Sequence, residues 1–202
     1  RRIVNERYPD INGNDYTSVI DQRSYDRLTA TLEDARAKGA RGVNLFEGQK
    51  PDAAMRKFPV HLVLDVNDDM DIMQREIFGP LLPIRTYRSK EEVVDYVGGH
   101  PRPLAFYAYT HDKALQDYYL YNVMSGGVTF NDGLIHAGQH SLPFGGVGNS
   151  GMGHYHGYDG FTTFSKMRPV FYQGPIRALN KLMPPYAGSP TKLLNFLLRM
   201  KT

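Results

Sequence analysis

"PFGGVGNSGMGHYHGYDGF", residues 143–161, contains seven glycines and the spacing G-x-G-x-x-G at residues 146–151. That spacing is typical of dinucleotide-binding loops, which follow a strand, open a helix and precede an acidic residue by about 20 positions. Here the preceding HAGQHSLP does not have the pattern of a buried strand, and GHYHGYDGF is too rich in glycine and aromatic residues to begin a helix. No Asp or Glu follows Asp159. The sequence therefore predicts an irregular loop, in which glycine permits positive φ and close approach to a neighbour or ligand.

The composition limits the chemistry that these 202 residues can perform alone. At 41% hydrophobic residues, the chain is large enough to bury a core as one domain with an appendage. It contains no cysteine, which excludes disulfides, thiolate metal sites and a thiol nucleophile within it.

The charge is distributed unevenly along the chain. From residue 160 onward there are seven Lys or Arg and no acid, whereas residues 1–159 carry 17 basic and 21 acidic side chains. A basic tail can lie on a membrane surface, but a solvated arm or packing on an acidic partner is the more common arrangement. The net charge of +3 is too small to indicate nucleic-acid binding. We expect neither nucleic acid nor a membrane as a partner, and a cytoplasmic location.

Helical and strand patterns alternate along the chain, which favours an α/β sheet. An amphipathic helix is predicted over Asp21–Lys38, ended by Gly39, and Ser89 with Glu92 forms a capping box for a second helix. Further helices are predicted over 112–123 and 190–200. The predicted strands cover 43–47, 60–66, a run from Leu82, 104–110, 126–132 and an alternating edge strand at 161–171.

Several histidines and serines have spacings that could belong to a zinc site or to a catalytic triad. His154 with His156, and His136 with His140, have spacings that bring two imidazoles together, but no carboxylate at a matching offset completes a zinc site. We expect no metal. Ser141, Ser150 or Ser165 could contribute to a Ser–His–Asp triad, yet no G-x-S-x-G motif supports it.

The segment QREIFGP, residues 74–80, places a carboxylate and an aromatic ring on a turn leading into a strand. An ionised carboxylate such as that of Glu76 can accept hydrogen bonds from two adjacent ribose hydroxyls. The ring of Phe78 can supply an apolar wall beside it. On these residues alone, a surface glutamate and a core phenylalanine remain the alternative.

Three motifs in order resemble the aldehyde dehydrogenase family. They are REIFGPLLPI (75–84), GGVTFND (126–132) and LPFGGVGNSGMGHYHGYDGFTTFSK (142–166). The form of the last motif and the KLMPPY…LLNFLLR tail are similar to the class 3 branch, most closely its bacterial coniferyl aldehyde dehydrogenase group. The resemblance extends over the whole chain and implies the C-terminal portion of the catalytic domain, an open α/β sheet, over residues 1–159. It implies an oligomerisation strand and C-terminal tail over 160–202.

The resemblance implies an NAD(P)-dependent oxidation of an aldehyde to a carboxylic acid. In the family the nucleophilic cysteine, the general-base glutamate and the cofactor domain lie upstream of the part matched here. We therefore expect a fragment that is inactive alone and that requires the N-terminal part of its parent chain. A non-enzymatic dimerisation module or pseudoenzyme is the alternative.

The resemblance also implies roles for five residues. Glu76 matches the glutamate that holds the nicotinamide-side ribose, and Phe78 matches the ring beside the nicotinamide. Phe144 matches the aromatic residue that lines the aldehyde tunnel, with His140 and Ile135 on the loop just upstream. The strand at 161–171 is expected at the interface of a homodimer.

Overall fold

The computed structural model describes residues 1–176, 183–184 and 189–200. The chain divides into two compact units, Arg1–Asp95 and Tyr96–Thr202. The boundary between these units lies after residue 95. The predicted boundary between residues 159 and 160 concerns a different division of the chain and stays a prediction. None of the described helices is long and apolar enough to cross a membrane.

The first unit combines short helices with a small mixed sheet. Its elements are α1 (Arg2–Arg7), α2 (Gln22–Ala37), β1 (Arg41–Asn44), β2 (His61–Leu64), α3 (Asp71–Gln74) and β3 (Leu81–Pro83), and α4 follows at Lys90–Gly98. The sheet order is β1-β2-β3, with β1 antiparallel and β3 parallel to β2. The predicted strands at 43–47 and 60–66 are thus present but shorter and shifted in their bounds.

Helix α2 forms as its sequence predicts, because both of its ends are capped locally. The Asp21 carboxylate accepts a hydrogen bond from the Ser24 amide at 2.7 Å, and Gly39 adopts φ +99° just beyond the last turn. Its apolar face is buried against the sheet and α3, in a core whose members are Tyr25, Leu28, Leu32, Ala35, Ala40, Phe58, Val63, Met70, Ile72 and Leu81.

The second unit contains a parallel pair of strands connected through a helix. Its elements are β4 (Ala105–Ala108), α5 (Lys113–Asn122), β5 (Gly127–Phe130), 3₁₀ turns at Ile135–Gly138 and Gly148–Ser150, α6 (Gly157–Thr163) and α7 (Ser189–Arg199). The register pairs Ala105 with Gly127 and Ala108 with Phe130. The predicted strands at 104–110 and 126–132 and the helix between them are confirmed.

Two predictions about the glycine-rich region are wrong. A helix does begin in GHYHGYDGF, since α6 starts at Gly157, and residues 161–163 belong to it. The predicted strand at 161–171 does not form, and the described residues 164–171 pair with no strand. The physical reason is local bonding, because the amides of Gly160 and Phe164 donate to the carbonyls four residues earlier, at 3.0 and 3.2 Å. The Thr163 hydroxyl adds a bond to the Asp159 carbonyl.

The predicted C-terminal helix is present as α7. Its apolar side chains remain largely in solvent within the chain, with Leu194 50%, Phe196 59% and Leu198 58% exposed. The expected role of residues 160–202 as an oligomerisation strand and tail stays a prediction.

Candidate functional site

The turn that carries Glu76 and Phe78 connects α3 to β3 and is bound to α2. Arg27 donates from its guanidinium to the Glu76 carbonyl at 3.3 Å. Arg75 donates to the Asp71 carboxylate at 2.7 Å and to the Thr31 hydroxyl at 3.2 Å. These bonds fix the backbone of the turn, whereas the side chains of Glu76 and Phe78 remain exposed to solvent.

Gly79 allows this turn to lie directly on the core. A Cβ at that position would stand 2.5 Å from a Leu28 methyl, closer than real Cβ contacts occur. Leu28 is completely buried, so a side chain at residue 79 would have to displace either the helix or the turn.

Glu76 and Phe78 are both on the surface of the first unit. Within the described part of the chain the Glu76 carboxylate makes neither an ion pair nor a hydrogen bond, although its backbone carbonyl is bonded. The Phe78 ring is 70% exposed, and its backbone has φ +43°. A non-glycine residue held in this region is strained, and such strain is common at functional sites.

A cavity of about 590 Å³ opens beside Phe78. It is lined by Tyr8, Tyr16, Thr17, Ser18, Val19, Ile20, Phe58, Val60, Phe78, Gly79 and Pro80. The Tyr16 hydroxyl donates to the Phe58 carbonyl at 2.6 Å, and burial raises the pKa of Tyr16 to about 12. Tyr16 is therefore a neutral donor across the physiological pH range.

The wall of this cavity is stabilised by a buried cation that the sequence reasoning missed. Lys57 is only 7% exposed, and its ammonium donates to the carbonyls of Gly13 and Tyr16. It also stands 5.9 Å from the centre of the Tyr16 ring. Lys57 follows Arg56 in the segment AAMRKFPV, and this local pattern gives no sequence signal for its burial.

In the second unit, Phe144 lies among histidines and aromatic rings. Its backbone exchanges hydrogen bonds with Tyr155 at 2.8 and 2.9 Å. Its ring stacks on His156 at 5.7 Å and 22°, and lies 5.8 Å from the ring of His136. A cavity of about 400 Å³ lies beside Phe144 and the glycine loop.

The glycines of residues 143–161 are explained by close backbone approach. A Cβ on Gly145 would fall on the Gly153 carbonyl oxygen, and one on Gly146 would fall on that of Ser150. Gly148 and Gly151 have φ of +63° and +145°. The expected irregular loop is therefore confirmed, with one short 3₁₀ turn at residues 148–150.

His140 and Ile135 lie on the segment that leads to Phe144. Ile135 opens the 3₁₀ turn and is 51% exposed, after Leu134 in the left-handed region at φ +63°. The exposed His140 has its ring 5.7 Å from that of His156. The structure thus brings His140, His156 and Phe144 together.

His154, Ser150 and Ser165 have local partners. His154 lies 3.2 Å from the Asp159 carboxylate, and among the described residues no group of three potential metal ligands occurs. The hydroxyls of Ser150 and Ser165 donate to the carbonyls of Val147 and Phe161. These bonds have structural roles in the loop and in α6.

Comparison with known proteins agrees with the sequence motifs. The sequence profile described as "Aldehyde dehydrogenase family" matches residues 5–170. A curated relative, "Probable coniferyl aldehyde dehydrogenase" from Pseudomonas aeruginosa, is 48% identical over 196 residues, which are 96% of this chain and 40% of that protein. The chain thus spans about two fifths of the length of the relative it matches.

Solved structures share the fold. The substrate-bound state of Staphylococcus aureus AldH superposes with a TM-score of 0.78 at 34% identity, over 97% of this chain and 42% of that one. An NAD+ complex of an aldehyde dehydrogenase from Bacillus cereus superposes with a TM-score of 0.66 at 23% identity, over 74% of this chain and 30% of that one. The matched profile and the 48% identical relative establish that the chain belongs to the aldehyde dehydrogenase family.

Proposed function

We propose that this chain is the C-terminal segment of an NAD(P)-dependent aldehyde dehydrogenase. The parent enzyme oxidises an aldehyde, of the aromatic coniferyl type, to a carboxylic acid. The observation that carries this proposal is the 48% identity over 196 residues to a relative named for that activity. Because this chain contains no cysteine, the nucleophilic cysteine and the general-base glutamate would lie upstream, and the segment alone would be inactive.

The cofactor-side residues of this segment are Glu76 and Phe78. When bound, the nicotinamide cofactor supplies a hydride acceptor. The Glu76 carboxylate would accept hydrogen bonds from the two ribose hydroxyls, for which its exposed and unpaired state is suited. The exposed ring of Phe78 would form an apolar wall for the nicotinamide. Both act by positioning, since the turn beneath them is fixed to α2.

The substrate-side residues are Phe144, His140 and Ile135. Phe144 would line the tunnel through which the aldehyde reaches the nucleophile, since its ring borders a cavity and is positioned by contacts with His136 and His156. His140 and Ile135, both exposed on the preceding segment, would complete the wall. The glycine loop behind them allows Phe144 to approach the active centre closely.

The parent is proposed to be a cytoplasmic homodimer. Exposed apolar side chains of the second unit support an interface, since soluble monomers rarely expose contiguous apolar patches. They include Phe161, Phe164, Val170, Phe171 and Tyr172 and the apolar residues of α7.

The experiment that tests this function uses the complete product of the gene. Its mass is expected to exceed the 22.9 kDa of this chain, and it should form NADH or NADPH with coniferyl- or cinnamaldehyde-type substrates. A complete product of this size without turnover would instead favour a non-enzymatic dimerisation module, for which the absence of cysteine is the supporting observation.

A further inference from the structure

His136 is a buried histidine for which the proposed function provides no role. Its side chain belongs to the 3₁₀ turn that follows β5, and only 8% of the residue is exposed. Ring nitrogen Nδ1 lies 3.0 Å from the Thr129 hydroxyl on β5. Nitrogen Nε2 is buried and makes no hydrogen bond to any described residue. A buried polar atom without a partner destabilises a fold, so the ring requires another explanation.

The adjacent strand is shaped to admit this ring. A Cβ on Gly127 would lie 2.7 Å from His136 Cδ2 and 2.8 Å from Nε2. The glycine in β5 therefore leaves the space that the imidazole fills. The hydrogen bond to Thr129 fixes the rotation of the imidazole within that space. An apolar ring could not make this bond.

The imidazole also lies near two aromatic rings. The His136 ring stands 5.8 Å from the Tyr107 ring at 61° and 5.8 Å from the Phe144 ring at 44°. Phe144 is in turn stacked on His156. A chain of contacts therefore runs from the backbone of β5 through His136 to the ring of Phe144.

We infer that His136 is a positioning residue that fixes the ring of Phe144 and thereby the width of the aldehyde tunnel. The inference rests on the proposed function, because it assigns Phe144 to the tunnel. His136 acts through Phe144 and takes no part in proton transfer. The KM of a bulky aromatic aldehyde depends on the tunnel width, whereas the KM of acetaldehyde does not.

The test measures kcat and KM of the full-length enzyme with coniferaldehyde and with acetaldehyde. His136→Ala is expected to raise the KM for coniferaldehyde on the order of tenfold, the scale of a misfitted apolar group in a pocket. The KM for acetaldehyde and both kcat values should stay unchanged. His136→Phe restores a ring without the hydrogen bond to Thr129, so the coniferaldehyde KM should stay raised.

A double-mutant cycle tests whether the glycine acts through the histidine. Gly127→Ala should raise the coniferaldehyde KM in the wild type but have no further effect on His136→Ala, because the obstructed ring is then gone. Gly98→Ala serves as the control, since a Cβ there would meet only the Arg102 guanidinium at 4.0 Å.

Unchanged coniferaldehyde KM values in His136→Ala and Gly127→Ala would overturn the inference, as would an equal rise for both aldehydes. If His136→Ala does not fold, Thr129→Val removes the orienting hydroxyl with little change in shape, and the same two outcomes apply.

Failure of the proposed function is distinguishable, because the wild-type enzyme would then oxidise neither aldehyde. In that case, NMR shifts of the Phe144 ring in Gly127→Ala decide whether His136 fixes it, and unchanged shifts contradict the inference.

Discussion

At the scale of single residues, the candidate site depends on side chains that the backbone holds open. Glu76 is exposed although its own carbonyl is bonded to Arg27, and Phe78 is exposed on a left-handed residue. The exposed ring and left-handed backbone of Phe78 are unfavourable for an isolated surface turn and favourable for one that receives a ligand, whereas an exposed glutamate is usual on a surface. The proposed cofactor contact is therefore testable at one carboxylate.

Replacing Glu76 by glutamine in the full-length enzyme keeps the shape and removes the charge. The free energy of cofactor binding should weaken, or the activation free energy of hydride transfer should rise, by roughly 1–2 kcal/mol, since a charge-assisted hydrogen bond becomes a neutral one. Steady-state and single-turnover kinetics measure both. Glu33→Gln, at an exposed carboxylate on α2, is the matched control, and equal kinetics of Glu76→Gln and this control would remove Glu76 from the site.

At the scale of secondary-structure elements, the helices with local capping signals were predictable and the packing between elements was not. Asp21 and Asp112 each accept bonds from amides at the start of their helix, and such signals are visible in sequence. The strand at 161–171 was mispredicted because alternation alone does not supply a pairing edge, whereas the bonds of α6 are local. The burial of Lys57 and His136 depends on residues distant in the fold, and no periodicity encodes it.

The cap of α2 gives a pH-dependent prediction. Hydrogen bonds from the Ser24 backbone and side chain hold the pKa of Asp21 below its usual range. A carboxyl group with a lowered pKa in the folded state stabilises the fold above its unfolded pKa of about 3.9, and this stabilisation disappears as the pH falls through the folded pKa. Asp21→Ala should lower the melting temperature at pH 7 and have little effect at pH 2. Asp15→Ala is the exposed control, and an equal loss at both pH values would contradict the capping role.

The close contact of Gly79 with α2 gives a second prediction at this scale. Gly79→Ala should displace the turn that carries Glu76 and Phe78, because the new methyl group collides with Leu28. Cofactor affinity of the full-length enzyme should fall, while Gly98→Ala leaves it unchanged. Calorimetric titration with NAD+ and NADP+ measures this, and equal affinities in the two variants would show that the turn tolerates the methyl group.

At the scale of the whole molecule, the chain exposes many large apolar side chains to solvent. Phe164 is 88% and Phe171 is 85% exposed, and the tail from residue 160 contains no acidic residue. Residues 1–159 have an acidic excess that could receive this basic tail from a partner subunit. These properties support a homodimer of the parent, in which a two-fold interface repeats each contact.

Phe164→Asp should shift the parent enzyme toward monomer, because a charge would be buried twice in the interface. Tyr121→Asp, at an 84% exposed position on α5, is the control. Light scattering at micromolar concentration measures the state. A parent that is monomeric, or a dimer equally indifferent to both substitutions, would contradict the proposed interface.

The proposed function has these residues position the cofactor and the aldehyde for a nucleophile located elsewhere in the parent chain. The most direct measurement is NADH formation by the purified 202-residue chain and by the full-length enzyme, side by side, with coniferaldehyde. The full-length enzyme should turn over, and this chain should remain at background because it contains no cysteine. Turnover by this chain alone would contradict the account.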